Sequence, residues 1–386
     1  MSRVRPALLS ALVFLAAPAL AAAPTPPVRV GEPSPEAAAA APRVQIALLL
    51  DTSGSMDGLI HQAREQLWKV VNTFAHARRE GVRPTLEIAL YEYGNDSLSA
   101  EGGYIRQVLP FTRDLDRVSE ALFGLTTNGG SEYCGQVIQR ATQQLAWSTR
   151  KGDLKLLYIA GNEPFSQGPV AWKTAVAAAK EHGVRVNTLH CGDADEGART
   201  GWKEAALAGG GRYLAFDHTR AVAQVAAPQD AEIAQLGEAL NRTYVGYGAQ
   251  APAAAARQGM QDANAKSASP SAAAERAVSK ASGAYDNSSW DLVDRKRKGE
   301  SVAAAAPVAQ LPAELRALSE PEREAYVEKK SKEREQLQQR IAKLAAERQA
   351  FLAAEEKKSA AAGAATLDSA VLQSAKAEAA EEGYAF

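Results

Sequence analysis

The chain has 386 residues and a formal net charge of −1, so no electrostatic footprint marks nucleic acid or an anionic membrane as its partner. The length accommodates two to three domains. Apolar residues make up 46% of the chain, but aromatics only 6%; alanine supplies much of the rest, which confines a good core to part of the sequence.

In chain order, Arg3 and Arg5 form a basic n-region, Ala7 to Ala17 an apolar stretch that Pro18 breaks, and Ala19-Leu20-Ala21 and Ala21-Ala22-Ala23 both fit small-x-small cleavage sites. This pattern predicts a secretory signal peptide over residues 1–23, and hence a periplasmic or secreted protein. The stretch falls short of the roughly 20 apolar residues of a membrane span. No cysteine follows it, which excludes a lipoprotein anchor, and no later segment is apolar enough to span a bilayer. Residues 24–42, rich in Pro and Ala, read as a linker.

From 43 to 248, β-type runs alternate with amphipathic stretches. Val44 to Leu50 is an almost unbroken apolar run, as expected for a central strand covered on both faces. Ile60, Ala63, Leu67, Val70 and Phe74 then recur at helical spacing. Thr85–Tyr93 and Ile105–Phe111 read as strands that pair as an edge hairpin. Further strands fall at Leu154–Ala160, Arg185–His190 and Arg212–Phe216. Helices fall at Leu115–Leu125, Cys134–Trp147, Val170–His182, Trp202–Leu207 and Ala221–Tyr244. The alternation predicts an α/β fold with a doubly wound, mainly parallel sheet, whose ligands bind beyond the carboxyl ends of the strands. The cysteines Cys134 and Cys191 either form one disulfide or stay as two buried thiols.

Residues 249–318 are Ala-rich and polar, and predict a disordered or weakly helical linker. The island at 285–294, with Tyr285 and Trp290, is a candidate docking segment. Ser319-Glu320-Pro321-Glu322 is a capping box that opens a charged helix over 319–358. Its Leu337, Ile341, Leu344 and Phe351 follow a heptad-like spacing, while Lys330, Arg334 and Arg348 share the same stripe. The helix is therefore a candidate coiled coil for self-association, a helix packed on the α/β domain, or one standing free. Residues 359–386 are of low complexity and predict a disordered tail.

The chemistry concentrates in Asp51-Thr52-Ser53-Gly54-Ser55, between the first strand and the first helix. A hard dication takes oxygen ligands in near-octahedral array, and a tight strand-to-helix turn can aim one carboxylate and two hydroxyls at one point. The same residues could also serve only as a helix cap. Scattered histidines and the lack of a nucleophile elbow, phosphate-binding loop or zinc-binding helix speak against an enzyme. His190-Cys191 and Asp217-His218 read as packed strand ends or turns, and Arg295–Lys298 as a solvated basic loop.

On Asp51, Ser53 and Ser55 in this strand–turn–helix setting, residues 44–244 resemble the von Willebrand factor A superfamily. That resemblance implies a metal-ion-dependent adhesion site binding Mg²⁺ or Mn²⁺. It also implies a further hydroxyl ligand after paired glycines, here Ser131 after Gly129-Gly130, and a protein partner whose acidic residue completes the metal sphere. The family's later aspartate falls at Gly161, a departure for which Asn162 or Glu163 could stand in. The alternative is a metal-independent structural or scaffold protein acting through its C-terminal helix.

Overall fold

The computed structural model describes residues 41–216, 225–302, 306–360 and 367–386. The expected signal peptide, most of the linker and Asp217-His218 lie outside them. Among the described residues no helix is long and apolar enough to cross a membrane.

The first part is a six-stranded sheet. Its strands are β1 (Arg43–Asp51), β3 (Thr85–Tyr93), β4 (Ile105–Thr112), β5 (Leu154–Gly161), β6 (Arg185–Cys191) and β7 (Gly210–Phe216), with a short β2 (Arg78–Arg79) outside it. The spatial order is β4-β3-β1-β5-β6-β7. All neighbours are parallel except β4, which returns antiparallel along β3 at the edge. This is a doubly wound, mainly parallel sheet, as the alternation predicts. The helices between strands are α1 (Asp57–His76), α2 (Leu115–Phe123), α3 (Cys134–Gln144), α4 (Trp172–Glu181), α5 (Ala194–Arg199) and α6 (Trp202–Ala208).

Successive side chains of a strand point to opposite faces, so β1 feeds two cores. Ile46 and Leu50 pack with Leu59, Leu67, Trp68 and Phe74 of α1. Ala47 and Leu49 pack with Val137 and Ile138 of α3, Val176 of α4 and Trp202 of α6. Each fully buried Leu or Ile contributes roughly 1.5–3 kcal/mol. Cys191 belongs to the first core and Cys134 to the second. Both are free, buried thiols. The disulfide alternative is thereby corrected: the two cysteines lie in different cores, and burial pushes both thiols well up from their ordinary value.

The C-terminal third departs most from expectation. The helix predicted over Ala221–Tyr244 is α7 (Asp230–Asn241). Pro228 disfavours helical backbone at Ala227, and Asp230 Oδ2 accepts the Ala227 N–H at 2.9 Å. The predicted linker instead holds α8 (Ala251–Ala268), α9 (Pro270–Ala281), α10 (Leu292–Arg297) and α11 (Ala313–Arg316). Ser269 caps α9 by accepting from Ala272 N, with Pro270 at the first helical position. The island docks: the Tyr285 hydroxyl donates to Asp116 at 2.6 Å and Trp290 stacks on Tyr244. The basic run at 295–298 is paired rather than loose, with Lys296 on Glu324 and Glu328 and Lys298 on Asp286.

Helix α12 (Glu320–Ala360) begins at the capping box, where Glu322 accepts from the Ser319 N–H at 2.7 Å. Its apolar stripe of Leu337, Ile341 and Leu344 packs on Ile233 and Leu240 of α7 and Ala274 and Ala277 of α9. The coiled-coil expectation is corrected, because this stripe is occupied within the chain. The disordered tail is corrected as well: α13 (Leu367–Glu381) carries Ala375 and Ala379 into the first core, and β8 (Tyr384–Ala385) pairs antiparallel with β2.

Candidate functional site

β1 ends at Asp51, next in register to Tyr93 at the end of β3. The turn that follows leads into α1. Asp51 is fully buried, and its Oδ1 accepts the Ser53 N–H at 2.7 Å. Its Oδ2 is buried and receives no hydrogen bond from the chain. Ser53, also buried, lies with its Oγ 3.4 Å from that of exposed Ser55. Asn162, just past β5, donates from Nδ2 to Ser55 Oγ at 3.2 Å. The strand-to-helix turn thus holds Asp51, Ser53 and Ser55, with Asn162, one of the two possible stand-ins at the end of β5, bonded to Ser55.

The glycine-rich loop before α3 closes the site from the other side. Asn128 N–H donates to Thr52 O at 3.0 Å. A Cβ on Gly130 would stand 2.3 Å from the Gly94 carbonyl oxygen, so only glycine allows this approach. Ser131 follows, half-buried. Glu163 is exposed, and its carboxylate accepts from Gln167 Nε2 at 3.1 Å.

Glu132, which the motif reading passes over, is 4% exposed. Its carboxyl stands beside Asp51, within reach of the Ser53 hydroxyl and the Glu163 N–H. Burial, and then the charge of Glu132, hold Asp51 well above the usual carboxylate range. Burial likewise raises Glu132. Two carboxyls together out of water call for a shared proton or a cation. The signal available in the sequence was an acid directly after the hydroxyl of Gly129-Gly130-Ser131.

The end of β5 is closed. A Cβ on Gly161 would meet the Tyr93 hydroxyl at 2.6 Å, Asp51 Oδ2 at 3.1 Å and the Trp202 ring at 3.1 Å. The Tyr93 hydroxyl donates to Ala160 O at 2.9 Å and is thereby fixed in that place. His190 is buried next to Trp202, their rings 5.7 Å apart.

The donors fit a hard cation: an orphaned buried carboxylate oxygen, a second carboxyl beside it, and neutral hydroxyls. Among the described residues no group of three or more His, Cys, Asp and Glu side chains is arranged to hold a metal ion.

The von Willebrand factor type A domain family matches residues 45–201. No curated protein matches the chain. Among solved structures, the conserved hypothetical protein BatB from Bacteroides thetaiotaomicron is 17% identical, with 45% of this chain and 90% of that one covered and a TM-score of 0.35. A von Willebrand factor type A protein from Catenulispora acidiphila is 16% identical (45% and 39% covered, TM-score 0.34). Proximal thread matrix protein 1 from the mussel byssus, solved with a zinc-occupied MIDAS motif, is 11% identical (47% and 43% covered, TM-score 0.34).

Proposed function

We propose, from the premise that residues 45–201 are a von Willebrand factor type A domain, that this protein is an exported binding module rather than an enzyme. Asp51, Ser53, Ser55 and Ser131 would hold Mg²⁺ or Mn²⁺, and an acidic residue of a protein partner would complete the coordination sphere. The observation that carries this reading is the buried Asp51 Oδ2, which receives no hydrogen bond from the chain, on a carboxyl that stands within reach of the Ser53 hydroxyl. An ionised carboxylate oxygen left alone in a dry site is costly, and a dication beside it removes that cost. The bound ion would supply a Lewis-acidic point for the partner's carboxylate. The chain's own residues do the rest: the β1 end and the loop before α3 hold the oxygens in place, and Asn162 orients Ser55. Export, to the periplasm or beyond, is the reading of the first 23 residues.

The test is retention of the full chain on a surface bearing peptides with a single Asp or Glu, in Mg²⁺ and in chelator, with wild type beside Asp51→Ala. Retention that needs both the metal and Asp51 supports the reading. Equal retention in chelator contradicts it.

A further inference from the structure

We propose that Glu132 is itself a ligand of the cation held by Asp51, Ser53, Ser55 and Ser131, bringing from the head of α3 the carboxylate that the end of β5 does not bring. This builds on the metal-binding reading above.

Three observations converge. First, Glu132 and Asp51 are wedged against the same glycine. A Cβ on Gly94 would stand 2.7 Å from Asp51 Oδ1 and 2.8 Å from Glu132 Cγ. Gly94 has a φ of +77°, a backbone conformation that suits glycine, so the close approach of both acids depends on its lack of a side chain. Second, the Glu132 side chain is turned inward: it is 4% exposed, with its carboxyl at Asp51, the Ser53 hydroxyl and the Glu163 N–H. Among the described residues no lysine or arginine forms an ion pair with Asp51 or Glu132. Two other buried carboxylates of this chain do have such partners: Asp291 pairs with Arg334 and Asp230 with Arg348. Third, the β5 end cannot supply the charge, because any side chain at 161 runs into the Tyr93 hydroxyl and the Trp202 ring.

Two carboxylates balance the charge of one dication. Together with the hydroxyls of Ser53, Ser55 and Ser131 they supply five oxygens and leave one place of an octahedral sphere for a partner's acid. Glu132 thereby sets the affinity of the site for cations, and the open place sets its affinity for the partner.

The test is calorimetric titration of Mn²⁺ into the full chain, comparing wild type, Glu132→Gln, Glu132→Leu and Asp51→Ala. Leucine fills a similar volume without a buried charge, so the Glu132→Leu chain is expected to fold at least as well as wild type without metal, and circular dichroism checks this. Both Glu132 variants should bind Mn²⁺ at least about tenfold more weakly than wild type. Luminescence lifetimes of bound Tb³⁺ in H₂O and D₂O should show about one more coordinated water in Glu132→Leu, which has no donor atom, than in wild type. Wild-type affinity and hydration in a folded Glu132→Leu chain, with binding still lost in Asp51→Ala, would overturn this proposal and leave the metal site standing. Absence of Mn²⁺ binding in wild type would overturn both.

Discussion

At the scale of single residues the site is shaped as much by what is missing as by what is present. Gly161 stands where the family resemblance calls for an aspartate, and the space a side chain would need is held by Tyr93 and Trp202. Gly161→Asp should therefore not restore a stronger site. Crowding a well-packed region costs typically about 1–3 kcal/mol, so the variant should melt at lower temperature and bind Mg²⁺ no more tightly than wild type. A Gly161→Asp chain with unchanged melting and tighter Mg²⁺ binding would contradict the packing described. Asp51, Ser53 and Ser55 were legible in the sequence because a single turn carries all three between a strand and a helix. Glu132 was not, because its place beside Asp51 depends on contact between two loops and on the glycine at 94 that lets them meet. The cysteines were open for the same reason: spacing along the chain does not say that Cys134 and Cys191 fall in different cores.

At the scale of elements, three buried arginines tie the C-terminal helices together, and one of them, Arg276, also ties them to α1 and α2 of the sheet part. Arg276 of α9 lies over the Trp68 ring of α1 and pairs with Asp116 and Asp262. Arg334 of α12 reaches Asp291 and Asp294 at 2.7 Å each and donates to Thr243. Arg348 of α12 pairs with Asp230 and Glu275 and donates to Ser271. Removing one partner of a buried pair costs roughly 3–5 kcal/mol, because the other charge stays behind in a dry place. Arg334→Met should lose that order of stability in chemical denaturation; a loss below about 1 kcal/mol would show that the network is not what holds α12 down. In the sequence, Arg334 and Arg348 interrupt the Leu337–Ile341–Leu344 stripe and suggest a poor coiled coil. In the structure they are its most buried charged members, because the partner acids come from α7, α9 and α10. A heptad reading cannot see acids that lie far away in the chain.

Helix α13 adds a pH dependence of its own. Glu378 is 1% exposed, accepts from Asn187 Nδ2 at 3.1 Å, and keeps Oε1 without a partner. Burial raises it from 4.5 to about 7, against the lowering effect of the Asn187 hydrogen bond and of Arg185 and Arg212, while Glu381 raises it further. Tyr158 faces the same carboxyl from β5. The folded chain thus keeps this proton at pH values where the unfolded chain has released it. Its contribution to stability is complete below about 4.5 and is lost as pH rises toward 7. The whole effect is at most about 3 kcal/mol. Glu378→Gln should melt higher than wild type at pH 8, with the difference shrinking as pH falls toward 4.5. A difference independent of pH would show that the carboxyl is not held protonated.

At the scale of the whole molecule, the described residues between 41 and 386 form one compact unit. The α/β order was legible up to about Phe216, since alternating apolar periods report directly on strand and helix. The boundary at 248 was not, since α13 and β8 return from the far end of the chain to complete the first core through Ala375, Ala379 and Tyr384. Nothing local in an alanine-rich tail announces such a docking. A chain ending at Gly248 should therefore fail to give the cooperative melting transition of the full chain; an equally sharp and equally high transition would show that the tail is dispensable. Metal experiments for the same reason belong on the full chain. The most direct of them is calorimetric titration of Mg²⁺ into wild type beside Asp51→Ala. The account predicts saturable binding in wild type, with one ion per chain, and its loss in the variant. Binding that survives Asp51→Ala unchanged, or a wild type that takes up no ion, would contradict it.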